Sequence, residues 1–144
     1  LIGGYEYNDE ERAFAEKLQE TLIAPSNLAN TNAVMPYKVE EDGIGGSTDV
    51  GDVSWVVPTA GMRAATWVPG TSGHSWQAVA AGGTSIGTKG MIVAAKTMAL
   101  TAIDLYKDPS IIEAAKEELL RRRGPDFKYT PLTGDREPPL DYRN

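Results

Sequence analysis

Between Thr88 and Tyr106 runs the strongest helical pattern in the chain. Met91, Ala94, Ala95, Met98, Ala99, Ala102, Ile103 and Leu105 recur at the spacing that lines one side of a helix. The stripe is wide and built mostly of small residues, so this helix is expected to pack closely against a sheet or another helix. Two further helices are expected around it. Asn8-Asp9-Glu10-Glu11 has the form of a capping box, in which the Asn8 side chain and Glu11 satisfy each other's backbone N–H. Phe14, Leu18 and Leu22 then make an apolar stripe that Pro25 ends. Asp108-Pro109 supplies a cap and a proline at the first helical position, and Ile111, Ile112, Ala115, Leu119 and Leu120 carry that helix to Gly124-Pro125.

The intervening segments read differently. Met62 to Val68, bounded by Gly61 and Pro69-Gly70, is expected to be a strand, and Val34 to Val39 a shorter one. Val50 to Val57 is compatible with either a short helix or a strand. The order helix, loop, strand, loop, helix, helix predicts an α/β fold, the later portion of a sheet flanked by helices. Residues 1–124 are expected to form that portion and residues 125–144, with four of the nine prolines, an extended tail. The opening Leu1-Ile2-Gly3-Gly4 has no initiator Met, which together with the tail suggests the C-terminal part of a longer protein.

Bulk properties narrow the function classes. A length of 144 residues with 41% hydrophobic content suits one core. A net charge of −6 and a pI near 4.8 argue against nucleic acid as a partner. The one basic cluster, Arg121-Arg122-Arg123, falls at a predicted helix end, where it complements the macrodipole. With no cysteine, thiolate metal sites, disulfides and thiol catalysis are excluded. No uninterrupted apolar run approaches the roughly 20 residues of a membrane span. No signal-peptide pattern is evident, so a cytoplasmic protein without a membrane partner is expected.

The chemistry centres on the only histidine, His74, in Pro69-Gly70-Thr71-Ser72-Gly73-His74-Ser75-Trp76-Gln77. A lone imidazole among small residues is sterically free to ligate a metal, although a surface histidine has the same setting and zinc needs three or four donors. Upstream lies Gly45-Gly46-Ser47-Thr48-Asp49-Val50-Gly51-Asp52. Asp49 and Asp52 are candidates to orient His74 or contact substrate, or else are turn and cap residues. Ser47 and Thr48, with glycine N–H groups nearby, are candidates to hold a substrate carboxylate, and a plain turn accounts for them equally well. Gly82 to Gly90 is rich in glycine but lacks the Gly-Lys-Ser/Thr succession of a phosphate loop. Trp55, Trp67 and Trp76 suit a core, with Trp76 placed best for a pocket wall.

Taken in order, Gly45 to Ser54, the segment 62–68, Pro69 to Ser75 and Lys89-Gly90-Met91 with its alanine-rich helix resemble the C-terminal catalytic segment of a metallopeptidase family. That family includes carboxypeptidase G, aminoacylase, hippurate hydrolase and succinyl-diaminopimelate desuccinylase. Ser47-Thr48-Asp49-Val50-Gly51-Asp52-Val53-Ser54-Trp55 and Gly73-His74-Ser75-Trp76-Gln77 are most similar to its aminobenzoyl-glutamate-utilising subgroup. The resemblance covers roughly residues 8 to 143. It implies an amidohydrolase with two divalent ions, zinc or manganese, in an α/β catalytic domain interrupted by a lid or dimerisation domain that is absent here. His74 matches the family's last metal-ligating histidine, and Ser47, Thr48 and Asp49 match a motif at the active-site rim. That motif reads Gly-Gly-Thr-Ser-Asp-Gly in several relatives and Gly-Gly-Ser-Thr-Asp-Val here. The other ligands and the water-activating glutamate would come from a missing N-terminal half, so the isolated chain is expected to be inactive. The implied substrate is an N-acyl amino acid, p-aminobenzoyl-glutamate foremost, and the parent is expected to be a homo- or hetero-oligomer. The alternative is a non-catalytic binding or interaction module built on the glycine-rich loops.

Overall fold

The computed structural model describes residues 2–39 and 48–141. Among these residues are five α-helices: α1 (Asp9–Gln19), α2 (Val50–Ser54), α3 (Trp76–Gly82), α4 (Ser85–Lys107) and α5 (Pro109–Arg123), with a short 3-10 turn at Leu28–Thr31. Among the described residues there is no strand, which overturns the expected α/β sheet. The reason is visible at 62–68. A strand exists only as one side of a backbone ladder, and β-propensity measures fit to such neighbours rather than a property of the segment. Here the Ala65 carbonyl accepts instead from the Tyr5 hydroxyl at 2.7 Å. The segment crosses α4, where a Cβ on Gly90 would lie 2.1 Å from the Ala65 carbonyl oxygen. Residues 34–39 likewise form no strand, with Val34, Met35 and Tyr37 exposed.

The chain divides into two compact units, Leu1–Glu41 with Gly61–Lys107, and Asp42–Ala60 with Asp108–Asn144. In the first unit, Tyr7, Ala15, Leu18, Val68, Ala81 and Ile86 form the core, with Phe14 and Leu28 packed on it. α1 begins as the capping box demands. The Asn8 side chain accepts from Glu11 N–H, the Glu11 carboxylate accepts from Asn8 N–H, and both bonds are 2.8 Å. It stops at Gln19, short of Leu22, because both the backbone N–H and the hydroxyl of Thr21 turn back onto the Leu18 carbonyl.

The glycine run at 82–90 has a packing role. α3 and α4 meet at a corner so tight that a Cβ on Gly87 would stand 2.2 Å from the Gly82 carbonyl oxygen. Thr84 caps the start of α4 by accepting from Ile86 N–H. Length and composition alone would let α4 cross a bilayer, because isoleucine, valine, leucine, methionine and alanine raise its mean hydropathy although polar residues interrupt them. Its first turns are instead built into the core through Ile86, Gly87 and Gly90. Further along, Met91, Met98, Leu100 and Ile103 remain exposed.

In the second unit, the Asp108 side chain caps α5 by accepting from Ser110 N–H at 3.1 Å, with Pro109 at the first helical position. The arginine cluster ends α5 as expected, yet it is not all solvated. Arg122 pairs with Glu118 at 2.6 Å, and Arg123 donates to the Trp55 carbonyl at 2.5 Å. Residues after Gly124 return to α2, where Phe127 stacks on Trp55 with ring centroids 4.8 Å apart.

Candidate functional site

The loop bearing His74 belongs to the first unit and is tied down at both ends. At its start, the Gln19 side-chain amide donates to the Ser26 carbonyl at 2.5 Å and the Pro69 carbonyl at 3.2 Å. Ser26 N–H also donates to Pro69. Gly70 has φ of 94° and lies so close to Ala24 that a Cβ would come 2.5 Å from its carbonyl oxygen, so only glycine fits. At the far end the Gln77 amide donates to the Thr21 carbonyl at 3.2 Å. The turn after α1 is therefore the base on which the histidine loop sits.

His74 itself is exposed and has φ of 58°, the one non-glycine residue with positive φ among those described. Left-handed backbone at a non-glycine residue costs about 1 kcal/mol or more, and such residues concentrate at functional sites. Replacing His74 with Gly should thus raise stability by about 1 kcal/mol, read as a higher denaturation midpoint. A lower midpoint would mean that the imidazole makes stabilising contacts in the free chain. Trp76, expected at a pocket wall, is 61% exposed, and Trp55 and Trp67 are not core residues either.

The other residues singled out from the sequence are Ser47, Thr48, Asp49 and Asp52. Ser47 lies outside the described residues. Thr48, Asp49 and Asp52 belong to the second unit, around α2. The Thr48 hydroxyl accepts from Val50 N–H at 3.3 Å, and Asp49 occupies the N-cap position without a side-chain cap bond. The Asp52 carboxylate accepts from the Tyr129 hydroxyl at 2.5 Å, which also pushes the Tyr129 phenol above its ordinary range. Among the described residues, no three His, Asp or Glu side chains gather closely enough to hold a metal ion. His74 is thus one free donor where a structural or catalytic zinc site takes three or four. Two shallow cavities, of about 220 and 200 Å³, are lined by other residues, Tyr7 and Arg12 in one, Phe14 and Ser85 in the other.

Sequence reasoning missed the polar centre of the first unit. Glu11 is 4% exposed, and beyond its capping box its carboxylate accepts from Ser85 Oγ at 2.6 Å and Lys89 Nζ at 2.5 Å. Burial pushes the Glu11 carboxyl up, but hydrogen bonds from Lys89, Ser85 and Asn8 and the Lys89 charge outweigh it and hold it below the ordinary carboxylate value. This carboxylate fastens the start of α1 to the start of α4. Only the capping-box half of it was signalled locally.

The chain is 37% identical over 141 residues to one of the subunits of p-aminobenzoyl-glutamate hydrolase from Escherichia coli (strain K12). The match takes in 81% of this chain, which spans only 29% of the length of that relative. No protein-family description matches the chain, and no solved structure matches it.

Proposed function

We propose that the chain is part of a metal-dependent amidohydrolase that cleaves N-acyl amino acids, with p-aminobenzoyl-glutamate as substrate. The observation that carries this reading is the similarity to a p-aminobenzoyl-glutamate hydrolase subunit. The free, exposed imidazole of His74 on strained backbone supports it. In this reading His74 supplies one neutral nitrogen ligand, and the remaining donors and the general base lie in polypeptide corresponding to the part of the relative that this chain does not cover. Held in part by His74, a zinc or manganese centre, when bound, would supply activation of water at neutral pH and polarisation of the amide carbonyl. The chain's own contribution is to hold the imidazole at a fixed place on the Gln19–Ser26 base. The exposed apolar residues of α4 also fit a chain that is covered by further polypeptide, since exposed apolar patches mark contact surfaces.

The test is release of p-aminobenzoate by the complete hydrolase, with bound metal counted. The His74→Ala variant should lose at least about 100-fold in kcat/KM, the upper end of what removing a mere supporting partner of a metal ligand costs. It should also lose one metal equivalent. Unchanged rate and metal content would contradict the proposal. The isolated chain, with one donor, should release none.

A further inference from the structure

We infer that Ser75 is the positioning residue for His74, an assignment that rests on the role of His74 proposed above. The Ser75 hydroxyl makes two bonds at once. It donates to the Ser72 carbonyl at 2.7 Å and accepts from Ala78 N–H at 3.2 Å. The second bond is the N-cap of α3. The first closes the four-residue turn Ser72-Gly73-His74-Ser75, in which His74 occupies the third position with φ of 58°. A turn with positive φ at its third position ordinarily takes Gly or Asn there. His74 holds that conformation against its own preference, so something must compensate, and the hydroxyl one residue on is the group that closes the turn. One side chain thereby couples the direction of the imidazole to the start of a helix whose body reaches the core through Ala78 and Ala81. Without the bond to Ser72, His74 is free to relax to negative φ, which re-aims the ring while leaving α3 capped.

Two substitutions separate these roles. Ser75→Asp keeps an acceptor for Ala78 N–H but, ionised, has no proton to give the Ser72 carbonyl. Ser75→Thr keeps both. Backbone couplings and carbonyl shifts of His74, whose imidazole gives a single set of signals because no other histidine is present, report φ in the full chain directly. The expected result is that left-handed φ survives in Ser75→Thr and is lost in Ser75→Asp, with helical signals of α3 retained in both. In the complete hydrolase, Ser75→Asp should then weaken zinc binding about 10- to 100-fold, with Ser75→Thr close to wild type. Retention of positive φ in both variants, or its loss in both, would overturn the assignment. If φ follows the expected pattern but zinc binding ignores it, the turn-closing role stands and the metal role of His74 falls, so the two failures are distinguishable.

Discussion

Glu11→Ala is expected to destabilise the chain by about 3 kcal/mol, the lower end for breaking a buried ion pair. The lower end applies because Lys89 keeps 36% of its side-chain surface in solvent, whereas Glu11 keeps 4%. The loss goes beyond the pair, since Asn8 N–H and Ser85 Oγ donate to the same carboxylate. The pH dependence has a definite sign. Because the folded-state carboxyl titrates below its ordinary value of 4.5, its stabilisation is complete above that value and disappears as pH falls through the folded-state value. Denaturant midpoints of the wild type should therefore fall with acidification below about pH 4.5, more steeply than those of Glu11→Gln. Equal slopes would mean that Glu11 is not held ionised by Lys89 and Ser85.

Gly90→Ala should destabilise to a similar extent, at or above the roughly 3 kcal/mol upper end of overpacking. The added Cβ would meet the Ala65 carbonyl oxygen at 2.1 Å and the Ala65 carbonyl carbon at 2.7 Å, both backbone atoms that cannot rotate away. Either 62–68 must lift off α4, which would break the Tyr5 hydrogen bond to Ala65, or α4 must shift at its anchored end. Gly51→Ala is the control, because among the described residues no atom beyond its own helix backbone and chain neighbours lies within 4 Å of the Cβ it would gain. Thermal or denaturant unfolding of the two variants should differ accordingly. A Gly90→Ala protein as stable as wild type would show that 62–68 does not cross α4 there.

Three helices were legible from local signals, whereas α3, which Ser75 caps, was not expected. Asn8 with Glu11, and Asp108 with Pro109, place two helix starts, and the alanine-rich stripe places α4 to within a few residues. What failed were inferences that depend on a distant partner. The pattern at 62–68 suggested a strand, but its hydrogen-bonding outcome depends on Tyr5 and Gly90, neither of which a local window contains. The glycines at 82–90 do not form a phosphate loop in sequence, and their packing role was not legible either: Gly87 and Gly90 are there because another carbonyl lies where a Cβ would go. The hydrogen bond from Tyr129, in the segment after α5, to Asp52 is likewise a contact that no spacing rule reveals. His74 stood out because it is chemically unique in the chain, but its left-handed backbone was not legible, since histidine is not the residue a turn rule puts there.

The most direct measurement follows the ring signals of His74, identified by their absence from His74→Ala. With cobalt(II) loaded into the complete hydrolase, the ring signals of His74 should be displaced far outside the diamagnetic range by direct ligation, and the displacement should vanish in His74→Ala. Ring signals that stay at their diamagnetic positions while cobalt is bound and the enzyme turns over would contradict the account.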